Sequence, residues 1–434
     1  MKSIRPTKPM FWMAQILVLV ACGWSFARAS LQPVQPLVGT FAKSSKHREI
    51  VHVTRTQAPF ITSLYDDPEL ISDEDLHAVL EKVLPRFSQH HIRPNYVEHA
   101  LRIWEVDCKF RVPAETVIDP DVPRVMQGSE LTEFLTNHAR FLASWSTTAE
   151  PLLIEEPEGG VAIRWGVDDS VPLEIRNGSS VHHDHWLACL TEGGITLDHK
   201  VFTPSHSQRN INDALQQSLR DFRLDEREVE WSGLAFAMWL APDKGWTNKE
   251  GREITFDMLC RRLMRGTHWG VCSGTHRVFS LMAILRLDDE YHMLSPAMHA
   301  EVYHYLEGVR DQITACQFED GHWPSNWAEG KAALDKPVED VLSKKVIATG
   351  HHLEWLAIAP IELHPPREMV RKAARWCIDT TKNMPQEQVS AQYTFFSHIG
   401  GALARWRKTR PKAFWMAWEE RHAAESGVEA PVPQ

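Results

Sequence analysis

Cysteine is sparse and scattered in this 434-residue chain: there are seven, and Cys108, Cys189, Cys260, Cys272, Cys316 and Cys377 stand far apart with no C-x-x-C pair. That spacing argues against the disulfide framework of small secreted domains and leaves one or two bridges or, more simply, buried free thiols. No H-E-x-x-H string is present, so no ready-made zinc-hydrolase helix can be read. Positive charge is in deficit, with 47 Lys and Arg against 57 Asp and Glu and no basic block, which argues against a nucleic-acid partner. Long apolar runs are missing as well. The stretch 11–22 is too short for a comfortable membrane span.

What that stretch does fit is an export signal. Lys2, Arg5 and Lys8 precede it, and Ala27-Arg28-Ala29 before Ser30 forms an A-x-A cleavage site. Leu19-Val20-Ala21-Cys22 also resembles a bacterial lipobox, with Cys22 as the lipidated first residue. The better spacer favours cleavage after Ala29, giving a periplasmic or extracellular protein. The alternative is a lipid anchor at Cys22, which is the one membrane contact expected.

Histidine and tryptophan are abundant, at 23 and 17 residues. Six segments share one pattern, a polar opener followed by small and apolar residues. The openers are His138, His185, Ser232, His276, His352 and His398, separated by 47, 47, 44, 76 and 46 residues. A period of this size leaves room for two helices and their turns per unit, with an insertion in the longest step. The expectation is an all-α fold, an α/α toroid of about six helix pairs over 69–420. A signal peptide (1–29), a flexible lead-in (30–68) and a flexible tail (421–434) complete the chain.

Within that frame, Ser72 opens a capped helix and 96–106 forms a second one carrying His99, a variant unit or a cap on the ring. Residues 150–181 break the period. There 161–165 and 171–175 alternate between turn signals at Gly159-Gly160 and Asn177-Gly178, which predicts a short β-hairpin. Beyond Asn210, amphipathic helices expected at 211–224, 254–265, 296–316 and 366–381 alternate with apolar ones at 231–241, 274–287, 350–358 and 389–406.

Gln317-Phe318-Glu319-Asp320-Gly321-His322-Trp323 fits Q-x-x-x-G-x-W. It resembles the QW repeat of squalene–hopene cyclases and, more loosely, the terpenoid cyclase and protein prenyltransferase toroids. The resemblance implies the fold over roughly 130–418, with Gln317 capping a helix start and Trp323 stacked between outer helices. Neither the D-x-D-D nor the D-D-x-x-D motif of those enzymes is present, so the resemblance carries architecture without its chemistry.

The candidate site is built from the openers. Side chains at matching places on inner helices gather at one level, and imidazoles at helix N-termini stay neutral, as acid–base or ligand roles require. His276, His352, His398 and Glu354 are the expected catalytic groups. Glu354 interrupts an apolar helix, where a carboxylate needs a partner such as Arg277 or a wet cavity. Cys272 and His276 stand four apart, and with His351 or His352 they form a candidate zinc set, taken as Cys272, His276 and His352. The cluster His182-His183-Asp184-His185 is a second candidate. Trp323, Arg277, Tyr393 and His185 are expected to touch ligand.

Three functions follow as expectations. One is an exported toroid binding an extended apolar or carbohydrate ligand in a His- and Trp-lined cleft. The others are a secreted polysaccharide hydrolase or lyase using His and Glu, and a non-catalytic envelope scaffold. The partner in the first two is a small molecule or a glycan.

Overall fold

The computed structural model describes residues 49–112, 121–123, 125–166, 172–266 and 270–426. The proposed signal peptide, the A-x-A site, Cys22 and the lead-in before residue 49 lie outside them, as does the tail from 427. Everything below concerns the compact unit Lys46–Gln434.

The fold is mostly helical. In chain order the helices are α1 (Asp73–Lys82), α2 (Pro94–Trp104), α3 (Gly128–Thr136), α4 (His138–Ser144), α5 (Leu173–Asn177), α6 (His185–Glu192), α7 (Ile211–Asp221), α8 (Glu230–Leu240) and α9 (Phe256–Met264). They continue with α10 (Thr275–Tyr291), α11 (Pro296–Cys316), α12 (Lys331–Asp335), α13 (Leu342–Leu356), α14 (Arg367–Asn383), α15 (Gln386–Ala391), α16 (Tyr393–Trp406) and α17 (Pro411–Ser426).

Four antiparallel hairpins punctuate them among the described residues: β1–β2 (Lys109–Arg111 with Val125–Gln127), β3–β4 (Leu153–Glu155 with Val161–Ile163), β5–β6 (Lys200–Phe202 with Gln208–Asn210) and β7–β8 (Gly245–Thr247 with Glu253–Thr255). The hairpin expected in 150–181 is present with different strands. Val161–Ile163 pairs backward with Leu153–Glu155 through a turn in which Gly159 takes φ +87°, and Leu173–Asn177 coils into a short helix instead of a strand.

Local chemistry explains the helix boundaries. The Ser72, Thr255 and Ser295 side chains each accept an N–H of the first turn, and Asn210 and Asp213 form a reciprocal capping box. Composition sorts the helices by depth. All of α8 is buried, and α6 likewise, as expected of helices without a polar face. By contrast α9 and α14 bury one stripe and wet the other, while α7 buries seven of its eleven residues and leaves the rest only partly exposed.

Six buried helices pack in chain order, α2 on α6, α6 on α8, α8 on α10, α10 on α13 and α13 on α16, and α16 returns onto α2. Amphipathic α7, α9, α11 and α14 lie against α8, α10, α10 and α13 respectively. The unit expected to start at His138 does not supply one of the six. Its helix α4 packs on α3, whereas α2, with His99, occupies the place between α6 and α16.

Residues 49–67 cross this body as an extended strap. The Ile50 and Val51 N–H groups donate to Gln216 Oε1, and the Asp67 N–H donates to the Trp406 carbonyl. All six described cysteines are free thiols; five are buried and Cys272 is partly exposed. No described helix is long and apolar enough to cross a membrane.

A buried imidazole belt as candidate functional site

Each of the six packed helices contributes one ring to a closed circuit. His99 of α2 meets His185 of α6 at 4.6 Å between centroids, His185 meets Trp231 of α8 at 4.3 Å, and Trp231 meets His276 of α10 at 4.3 Å. His276 meets His351 of α13 at 4.5 Å, His351 meets His398 of α16 at 3.8 Å, and His398 closes on His99 at 5.1 Å. The five imidazoles are buried. The belt is a packed layer of rings.

Four of the five Nδ1 atoms have a polar partner behind them. Those of His99 and His351 lie 2.8 and 2.7 Å from the carbonyls of Asn95 and Ile347, one turn earlier on their own helices. His185 Nδ1 lies 2.5 Å from Glu98 Oε2. His398 Nδ1 sits between Glu354 Oε2 at 2.9 Å and an Arg102 guanidinium nitrogen at 3.0 Å. The Nε2 atoms of His185 and His398 are buried without a partner. This is how proteins orient histidine ligands, with one nitrogen held by an outer acceptor and the other presented inward.

Burial sets the protonation. His99, His185, His276 and His398 are all driven well below the ordinary histidine value by desolvation, reinforced by neighbouring positive groups. Desolvation likewise brings His351 down to about 4 and pushes Glu98 up to about 8. At neutral pH the imidazoles are therefore uncharged and their lone pairs available.

Cys272, His276 and His351 converge. Each offers one donor atom, and these atoms lie within 4.8 Å of one another, with the Nε2 atoms of His276 and His351 at 3.0 Å. The local backbone delivers the thiol. Cys272, Ser273 and Gly274 run with φ of +50°, +60° and +80°, a left-handed turn that costs strain at the two non-glycine positions and sets Cys272 beside the first turn of α10. Thr275 Oγ1 donates to the Cys272 carbonyl and the Trp327 indole N–H to the Ser273 carbonyl, holding the turn. Burial pushes the Cys272 thiol up to about 12, so its proton leaves only to a strong competitor.

On the other side of the belt, Arg102 donates to Glu192 Oε2 at 2.5 Å and to Glu354 Oε1 at 2.9 Å, all three groups being buried. Arg102 and Glu192 also line a cavity of about 390 Å³ with Phe60, Ile61, Ile103, Met238 and Gly401.

The residues expected from sequence divide accordingly. His276, His398, His185 and Glu354 belong to the belt or its anchors, and Cys272 stands beside it. His352 does not: its ring sits against Trp323 and Trp327, its Nδ1 accepts the Trp355 indole N–H, and His351 takes the place expected for it. Arg277 does not pair with Glu354. It is bound by Glu230 Oε1 and by the carbonyls of Arg265 and Gly266, and acts as an internal clamp. Tyr393 packs on Phe87 and Tyr96. Trp323 is buried, its indole N–H donating to the Ile313 carbonyl, and Gln317 Nε2 donates to Met369 on α14, so the Q-x-x-x-G-x-W segment ties helices together. His182 pairs with Glu228, and His183 with Asp184 and Glu226.

His99, Arg102, Glu98, Glu192 and Trp231 were not among the expected site residues. For three of them the signal was present in α2, where Glu98, His99 and Arg102 interrupt the buried, otherwise apolar run from Val97 to Trp104.

No family model, curated protein or solved structure matches this chain.

Proposed function

We propose that this chain is an α/α toroid that holds a zinc ion on Cys272, His276 and His351, at the edge of its imidazole belt. The toroid reading is supported by the packing order, six buried helices in succession with α16 returning to α2 and amphipathic helices against them. The observation that carries the metal is the convergence of three donor atoms within 4.8 Å.

The donor set fits. Two imidazole nitrogens on one tetrahedral zinc stand about 3.3 Å apart, given bonds of roughly 2.05 Å. The 3.0 Å between the His276 and His351 nitrogens needs only a slight opening. His351 already carries its outer anchor at Ile347, and desolvation keeps it neutral. A thiolate with two imidazoles suits zinc rather than the hard cations magnesium or calcium.

Three protein donors with one position left over is the pattern of a catalytic zinc, and the ion supplies Lewis acidity there when bound. The chain's own residues supply the rest. His398 has an unpartnered Nε2 beside His351; in the tautomer whose Nδ1–H donates to Glu354 that Nε2 carries the lone pair and is the acid–base group of the site. The reaction class is hydrolytic, acting on a small molecule or glycan that approaches from the partly exposed Cys272 side, in an exported protein.

Metal titration tests this. After dialysis against chelator, the protein should take up one equivalent of cobalt(II) or zinc, and the cobalt form should show a thiolate charge-transfer band. Cys272→Ser should remove the band, and His351→Gln should weaken uptake roughly a hundredfold or more, since each donor supplies a large share of the binding free energy. His352→Gln should bind as the parent does. Absence of stoichiometric uptake, or uptake unchanged in Cys272→Ser and His351→Gln, overturns the reading. Because Cys272 sits in a turn and is only partly buried, its variant keeps the test open if a belt variant fails to fold.

A further inference from the structure

The cavity beyond Arg102 is separate from the metal set, and its chemistry is specific. Its floor is Arg102 and Glu192, its walls are Phe60, Ile103 and Met238, and Lys408 stands in its lining. The helices α2, α6, α8 and α16 all end beside it, so partial negative charge from their last carbonyls faces this end.

Those carbonyls are already answered. Arg410 donates to the Glu192 carbonyl, and Arg55 donates to the carbonyls of Met238 and Ala241. The guanidinium groups are answered too. Arg102 is held by Glu192 and Glu354, Arg405 by Glu192, and Arg410 by Glu105. Lys408 has no ion-pair partner among the described residues. It sits at φ +47°, a conformation that favours glycine, directly after α16. An exposed lysine at a glycine-favouring position beside an apolar cavity places one unpaired positive charge at its rim.

We infer that this cavity binds a small amphipathic monoanion, a carboxylate-headed molecule whose apolar body fills the space against Phe60, Ile103 and Met238 and whose head pairs with Lys408. A volume of about 390 Å³ lies within the range of small-molecule pockets. The charge complement chooses the head group. The lining carries three guanidinium groups and Lys408 against one carboxylate, Glu192, so a cationic head would meet net positive charge, and a neutral one would leave the ammonium unused. The site shares no residue with the metal set, so it stands or falls independently of the zinc reading.

Calorimetric titration with three probes of equal chain length, octanoate, octan-1-ol and octylammonium, tests the inference. Octanoate should bind best, octan-1-ol more weakly and octylammonium least. Lys408→Gly keeps the backbone conformation and removes the charge, and should lower octanoate affinity roughly five- to tenfold while leaving octan-1-ol unchanged. Lys408→Arg should retain the preference. Gly401→Leu projects a side chain from the cavity wall and should abolish binding of all three; its added Cβ meets only the end of the Ile103 side chain, Cγ2 at 3.1 Å, which must give way slightly, so an unchanged thermal melt is the control that the variant folds. Failure of octanoate to bind, a preference for octan-1-ol or octylammonium, a preference that survives Lys408→Gly, or binding untouched by Gly401→Leu each overturns the assignment.

Discussion

At the scale of single residues, Arg102 joins the two sides of the centre. It belongs to the cavity floor through Glu192 and to the belt through Glu354 and His398. Burial works against its charge, but Glu192 and Glu354 outweigh that and hold the guanidinium firmly protonated. A buried ion network of this kind is costly to break from one side, because the remaining charges stay buried without a partner. Arg102→Met should therefore cost about 3–5 kcal/mol of unfolding free energy, read as a fall in the urea midpoint. A loss below about 1 kcal/mol would show that Glu192 and Glu354 reach water or other cations. The side chains that make the belt were only partly legible. His185, His276 and His398 were found from their spacing, whereas at α13 and α8 the ring belongs to the residue just before the expected opener, His351 and Trp231. Adjacent helical residues point about 100° apart, so a shift of one position moves a side chain to another face.

At the scale of elements, close approach is set by small residues. A Cβ at Gly400 of α16 would lie 2.8 Å from Val83 Cγ2 and 3.3 Å from Leu80 Cδ2, so α16 approaches the end of α1 only because that position is bare. Gly308 of α11 faces open space. Gly400→Val should destabilise by about 1–3 kcal/mol through overpacking. Gly308→Ala should instead gain about 0.5–1 kcal/mol from helix propensity. Thermal melts of the two variants check the pair, and equal effects would refute the close-packing account. Most helices could be read from periodicity and caps. Pro296–Cys316 was expected with the observed limits, because Ser295 and Pro296 mark its start unambiguously. Helix α13 was expected from Gly350 but begins at Leu342; its first turn is largely exposed, and Val346, Ile347 and Ala348 ahead of Gly350 were the apolar signal that the expectation left out. The belt histidines on α13 and α16 therefore sit well inside their helices, and helix-start reasoning does not explain them.

At the scale of the whole molecule, the amino-terminal segment and the compact body make separate claims. The export reading rests on Lys2, Arg5 and Lys8, the apolar stretch 11–22 and the Ala27-Arg28-Ala29 site. Protein isolated from its native host should begin at Ser30, or at a lipidated Cys22. An intact Met1 in intact-mass measurement would remove the export claim while leaving the metal and cavity proposals unaffected.

The sequence by itself determined that this is a mostly helical chain, and it singled out the polar groups placed in apolar helices. Those properties are local: capping, periodicity and the cost of burying a charge all act within a few residues. Only the tertiary structure decided that α2 rather than α4 stands between α6 and α16, that His351 rather than His352 faces His276, and that Glu354 answers Arg102 rather than Arg277. Which face of a buried helix meets which neighbour depends on the packing of all six together. A helix apolar on every side, such as α8, carries no mark of the direction its neighbours will take.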